Sequence, residues 1–214
     1  MKTLKIIMIL ASVFCLNTAF AQEGEIDNRE RIQFGLKAGL NFSNIFDSKT
    51  EDFTTDPKFG FAGGAFVAIP IGKYLGLQPE ILISQKGFKG EGRFLGSEYK
   101  FTRTTTYLDI PIQIAFKPSE FFTLVAGPQY SYLLKQKDKF DNTYVINSNE
   151  EEFKNENIRK NILGVVAGID FNVKHVIIGA RIGWDVSNNN GDGTSNTPRY
   201  RNTWLQGTIG YTFP

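Results

Sequence analysis

The sequence predicts an all-β protein: an eight-stranded antiparallel up-and-down β-barrel that crosses a membrane with its strands. Three observations predict it. Apolar residues alternate with small or polar ones in eight separate runs of about ten to fourteen residues, and a strand sends successive side chains to opposite faces. The connections between runs alternate between tight and long. The mature chain holds no continuous apolar run long enough for a spanning helix.

The first run, about 31–42, sets Ile32, Phe34, Leu36, Ala38, Leu40 and Phe42 against Gln33, Gly35, Lys37, Gly39 and Asn41. The second, about 59–70, carries Phe59, Phe61, Gly63, Ala65, Val67 and Ile69 on one face. The third, about 74–88, sets Leu75, Leu77, Pro79, Ile81 and Ile83 against Gln78, Glu80, Leu82 and Ser84. The fourth, about 103–116, is the most regular: Leu108, Ile110, Ile112 and Ile114 alternate with Tyr107, Asp109, Pro111 and Gln113. The fifth to eighth lie near 121–135, 161–171, 176–187 and 201–213, the last ending Leu205, Gly207, Ile209, Tyr211, Phe213. Pro79, Pro111 and Pro128 fall inside runs, and each removes a ladder donor, so bulges or shifted strand ends are expected there.

Tight turns follow the second, fourth and sixth runs, at 71–73, 117–120 and 172–175. Long polar segments follow the first, third, fifth and seventh, at 43–58, 89–102, 136–160 and 188–200. Short periplasmic turns opposite long outer loops are the asymmetry of an outer-membrane barrel. An even strand number then sets both termini on the periplasmic side.

The apolar face is expected to meet lipid. The opposite face is rich in small residues such as Gly35, Gly39, Gly64, Gly168 and Gly179, which suit a narrow interior. Most charges sit in the long segments, and aromatics gather toward run ends, as at interfacial girdles. A secreted soluble barrel of lipocalin type, with its apolar face turned inward, is the competing arrangement.

The first 21 residues have the form of a secretory signal peptide. Lys2 and Lys5 precede an apolar stretch from Ile6 to Leu16, then small residues at Ala19 and Ala21. Phe14 before Cys15 is bulky for a lipidation signal, so the single cysteine leaves with the signal and no thiol chemistry is expected. Residues 22–30 form a short periplasmic lead, and 31–214 the barrel. The chain has 24 basic and 22 acidic residues, and removing Lys2 and Lys5 balances them. That balance argues against nucleic acid as a partner.

The segments "YLDIPIQIAFKP" at 107–118, "GPQYSYLL" at 127–134, "KAGLNFS" at 37–43 and "GTIGYTF" at 207–213 resemble the PorT-like outer-membrane β-barrel family of Bacteroidota. The resemblance covers nearly all of the mature chain. It implies insertion by the outer-membrane assembly machinery, which reads a final strand ending in an aromatic. Tyr211 and Phe213 are the expected signal, although Pro214 departs from the terminal aromatic. The secretion role of PorT itself is not carried over.

With the polar face inward, Lys37, Glu80, Asp109 and Arg181 fall near mid-strand, with Gln129 and Gln206 at similar depth. Two positive and two negative groups at one level are expected to pair, because an unpaired buried charge carries a large desolvation penalty. An eight-stranded barrel is just wide enough for side chains to fill. The expectation is therefore a filled lumen closed by a Lys37/Arg181–Glu80/Asp109 network. The alternative is a narrow porin-like path for ions or small solutes lined by the same groups.

No catalytic constellation is evident. The one histidine, His175, sits in a tight turn beside Lys174, with no carboxylate or serine arrayed near it by sequence. The segment 188–193 has oxygen donors and glycine like a calcium loop, but lacks the acidic spacing and terminal Glu. Glu150, Glu151 and Glu152 read as a solvated loop. No enzyme activity, cofactor or metal is expected. The partners expected are lipid, the assembly machinery and an envelope or extracellular partner met by the loops, the longest being 136–160.

Overall fold

Why the chain closes on itself follows from pairing. The computed structural model describes residues 28–47, 54–94, 97–141, 150–151, 159–189 and 200–213. The expected signal at 1–21, most of 188–193, Glu152 and Pro214 lie outside the described residues. The strands are β1 (Gln33–Asp47), β2 (Thr54–Pro70), β3 (Leu75–Phe94), β4 (Ser97–Phe116), β5 (Phe122–Asp141), β6 (Glu150–Glu151), β7 (Asn161–Val173), β8 (Val176–Asp185) and β9 (Tyr200–Phe213). β6 is a two-residue addition to the far end of β5, with Asp138 opposite Glu151. The other eight form the wall. Each pairs antiparallel with its neighbour, β4 with β5 and β5 with β7 included. β1 pairs with β9 from Phe34 opposite Phe213 to Asp47 opposite Tyr200, and this seam closes the barrel. Among the described residues no helix is long and apolar enough to cross a membrane.

The alternation resolves into two faces of inverted polarity. Leu36, Leu40, Ile81, Ile114, Ile182 and Ile209 are exposed, whereas Lys37, Asn41, Glu80, Gln113, Arg181 and Gln206 are buried. A soluble ligand-binding barrel would bury the first set and expose the second. The exposed apolar residues form the band a lipid bilayer covers.

The walls run further than the sequence pattern suggests. The expected loop 89–102 is mostly hairpin, because β3 and β4 stay paired from Leu75 opposite Phe116 up to Phe94 opposite Ser97. The reason lies in composition: Tyr99, Phe101, Thr102 and Thr104 to Thr106 are β-branched or aromatic, and such residues suit a pleated surface even beyond lipid. β5 likewise extends into the expected loop 136–160. Within this raised part Gly87 has φ +155, and a Cβ there would meet the Arg103 carbonyl oxygen at 2.1 Å. Glycine is required at that position.

The prolines do not make bulges. Pairing lapses where Pro79 faces β2, Pro111 faces β3 and Pro128 faces β4, yet the register on either side of each lapse is unchanged. The ladder skips the missing donors and resumes. The two register shifts lie elsewhere, between Pro57 and Ala62 and between Thr106 and Tyr107.

At the tight-turn end, Asn28–Glu30 forms a 3-10 turn. Arg29 lies 3.9 Å from Glu120 and over the Tyr74 ring, and Lys117 Nζ donates to the Arg29 carbonyl at 3.5 Å. The lead segment is thereby pinned across the mouth of the barrel, beside a cavity of about 200 Å³ whose lining includes Gln78, Lys117 and Asp170.

Candidate functional site

The buried charges stack along the barrel axis in three groups. The group nearest the tight turns draws on β1, β3, β7 and β8. Lys37 donates to Glu80 Oε1 at 2.6 Å. Arg181 grips Asp170 with two parallel bonds, 2.7 Å to each carboxylate oxygen, and lies 3.8 Å from Glu80. Gln78 donates to Glu80 at 3.0 Å, and Gln113 accepts from Arg181 Nε at 3.2 Å. The Lys37 ammonium also lies 5.1 Å from the Phe66 ring centroid. Fork-to-carboxylate geometry of this kind fixes orientation as well as charge.

The middle group centres on Lys86 of β3. Its ammonium is 3.1 Å from Asp109, 3.7 Å from the Trp204 ring centroid and 5.0 Å from that of Tyr107. Lys86 is 1 % exposed. A desolvated cation against an aromatic face is worth about 2 kcal/mol. Beside it Asn41 donates to Ser84 and accepts from Gln206.

The third group lies toward the long-loop end, beyond the outward-facing apolar residues of β4. Arg103 donates to both oxygens of Asp138, at 2.8 and 2.7 Å, and to the Tyr200 hydroxyl at 3.1 Å. Burial works against the Arg103 charge, and the Asp138 bonds more than offset this, so its pKa stands above the ordinary value. Burial raises the pKa of the Tyr200 phenol.

Of the four charges expected to share one level, Lys37, Glu80 and Arg181 do come together. Asp109 pairs instead with Lys86, one group further along the axis, so the expected quartet is corrected to two clusters. The partner that completes the first cluster is Asp170. Lys86 and Asp170 were both open to discovery by alternation: Lys86 is in step with Glu80 and Ser84, and Asp170 with Gly168. Gln129 donates to Ser131 Oγ rather than to any charge.

Tyr211 and Phe213 lie on the outer face of β9, with ring centroids 5.7 Å apart. His175 is exposed in the β7–β8 turn, its ring 5.6 Å from that of Tyr211 and its Nδ1 3.2 Å from the Thr212 carbonyl. Asn188 accepts from Arg201 Nε at 2.8 Å. No group of three or more His, Cys, Asp or Glu side chains placed to hold a metal occurs among the described residues.

An apolar exterior, a polar interior and a closed eight-stranded ladder define a transmembrane β-barrel of the outer-membrane class. The chain belongs to the outer membrane protein beta-barrel domain family, whose model matches residues 20–196, and it is an outer-membrane protein. Among solved structures it is similar to Neisserial surface protein A, at 12% identity and a TM-score of 0.52, over 86% of this chain and 100% of that one. It is also similar to Ail of Yersinia pestis, at 16% identity and a TM-score of 0.43, over 85% and 98%. OprG of Pseudomonas aeruginosa matches at 13% identity and a TM-score of 0.40, over 88% and 99%. No curated protein matches the sequence.

Proposed function

We propose that this barrel is a structural and interaction protein of the outer membrane, with a lumen closed by its own side chains and surface loops that contact a partner. One observation carries the reading. Three groups of buried ion pairs, Lys37–Glu80–Arg181–Asp170, Lys86–Asp109 and Arg103–Asp138, follow one another along the lumen, and the contacts of Arg181 with Glu80, Lys86 with Trp204 and Arg103 with Tyr200 link strands that are not neighbours in the wall. Each cation is neutralised by a carboxylate within hydrogen-bond distance, which leaves little free charge to attract a permeating ion. The width of an eight-stranded barrel supports the same reading.

Further parts of the proposal concern biogenesis. Residues 1–21 serve as a cleaved signal, 22–30 as a periplasmic lead and 31–214 as the barrel. The tight turns face the periplasm and the long loops the exterior, as short and long connections do in such barrels. Tyr211 and Phe213 present the final strand to the assembly machinery. The motifs quoted above support a place in the PorT-like branch in Bacteroidota. No enzymatic role is proposed: Glu80, Asp109, Asp138 and Asp170 are paired with cations, Asp185 accepts from Asn202, and His175 faces a carbonyl and a ring.

Planar-bilayer recording of the purified full-length mature chain tests the closed lumen. The expected result is no stable unitary conductance. A large, reproducible conductance step would favour the porin-like alternative. Removing 142–158 is expected to leave heat-modifiable migration intact and to abolish partner contact made through that loop.

A further inference from the structure

The lipid-facing wall is not uniformly convex. A groove of about 540 Å³ runs along the outer face of β1 and β9. Leu40, Phe42, Leu205 and Ile209 form its walls, and Ala38 and Gly207 its floor. The register explains it: Gly207 sits between Leu40 of β1 and Ala180 of β8, so one row of the wall lacks bulk where its neighbours have it. A Cβ added at Gly207 would meet nothing within 4 Å. The Phe42 and Phe59 rings, 4.9 Å apart, bound the groove at its long-loop end.

Above that end the wall changes character. Asn44 lies opposite Thr203, and Phe46 opposite Arg201. Arg201 is exposed, and its Nε donates to Asn188 Oδ1, which orients the guanidinium at the rim. From Arg201 to Ile209 the strand covers roughly 27 Å. At the usual tilt this is about 20 Å of depth. One leaflet with its headgroups has about that thickness.

We propose that this groove is a discrete lipid site, holding an acyl chain of an anionic outer-leaflet lipid whose headgroup phosphate meets Arg201. The groove is continuous with the lipid-covered band, so acyl chains are what it faces. The cation above it selects the headgroup charge. The leaflet assignment rests on the proposed orientation, with loops outward.

The test is native mass spectrometry of the full-length mature chain after incubation with dimyristoylphosphatidylglycerol or dimyristoylphosphatidylcholine vesicles. The wild type is expected to retain one phosphatidylglycerol per barrel, at least tenfold over phosphatidylcholine. Gly207→Leu fills the groove and is expected to lower retention at least tenfold while heat-modifiable migration persists. Arg201→Gln is expected to keep an adduct but lose the preference between the two lipids. Ala126→Leu, on the far wall, is expected to change nothing. Equal retention of both lipids by the wild type would overturn the proposal, as would undiminished retention by Gly207→Leu. A dimer lost on Gly207→Leu would also overturn it, by assigning the groove to a second copy of the chain. Labelling of Lys139→Cys on intact cells by an impermeant maleimide is expected. Absence of label would overturn the outer-leaflet assignment, independently of the adduct.

Discussion

Lys86 holds its ammonium 3.7 Å from the centroid of the Trp204 ring and 3.1 Å from Asp109. The buried cation thus meets both a carboxylate and an indole. Lys86→Met leaves Asp109 buried without its cation and is expected to destabilise the barrel by about 3–5 kcal/mol. The double variant Lys86→Met with Asp109→Leu removes both charges and is expected to recover most of that loss. Urea unfolding in lipid vesicles, followed by the emission of Trp184 and Trp204, measures both.

Asp170 and Glu80 divide the charge of Arg181 unequally, and their variants are expected to differ in kind. Asp170→Asn keeps one acceptor oxygen but loses the carboxylate charge and one of the two 2.7 Å bonds, leaving Glu80 at 3.8 Å as the carboxylate of the buried guanidinium, at a cost of about 3–5 kcal/mol. Glu80→Gln leaves Arg181 gripped by Asp170 but strips Lys37 of its carboxylate, so Lys37→Met is expected to rescue Glu80→Gln and not Asp170→Asn. A double-mutant cycle by equilibrium unfolding reads this difference.

Tyr200 ties the long-loop end to alkaline pH. Burial keeps its phenol protonated in the folded barrel above the ordinary value of 10.0. The unfolded chain therefore loses this proton first as pH rises. The contribution is complete below pH 10, declines once the unfolded phenol ionises, and is gone above the folded pKa. Tyr200→Phe is expected to flatten the fall in stability above pH 10, measured by unfolding across an alkaline series.

Lys174 has φ 54 in the turn between β7 and β8, the left-handed region in which a side chain is strained. Lys174→Gly is expected to stabilise the barrel by about 1 kcal/mol. At Gly87 the opposite change applies: Gly87→Ala drives a Cβ toward the Arg103 carbonyl and is expected to cost about 1–3 kcal/mol. Thermal unfolding of the two variants should move in opposite directions.

Replacing Tyr211 and Phe213 together by Ala is expected to lower the membrane-inserted fraction in cells while purified protein still refolds in detergent. Heat-modifiable migration of the two preparations separates assembly from stability.

Strand number, closure and the lipid-facing side were legible because period-two alternation reports a two-sided surface wherever one side is covered. Ile110 to Phe116 display that rule without exception. Where both sides meet water the rule weakens, and so the paired extension from Lys89 to Thr102 looked like a loop. The interior charges were individually visible, since Lys37, Glu80, Asp109 and Arg181 all interrupt the small-residue face. Which of the interior charges pair with which was not, because pairing depends on strand stagger around the barrel, which composition does not encode. Asp109 sits opposite Ser131 on one side, and on the other the ladder brings β3 and its Lys86 within reach. The register partner of Asp109 on β3 is Leu82, and Lys86 reaches the carboxylate from further along the same strand.

The wall has an uneven rim. β3, β4 and β5 each contain 20 residues, whereas β8 has 10, so one side runs roughly 33 Å further along the strands. Among the described residues, β7 stops pairing with β5 at Tyr132, the Leu133 amide donates to the Lys160 carbonyl, and β6 covers this flank at Asp138 and Lys139. Lys135, Lys137 and Lys139 recur at every second position along this flank, and lysine on a sheet edge discourages another strand from adding to it. The parapet can therefore stand clear of the bilayer as a stiff platform for recognition without zipping neighbouring barrels into a sheet.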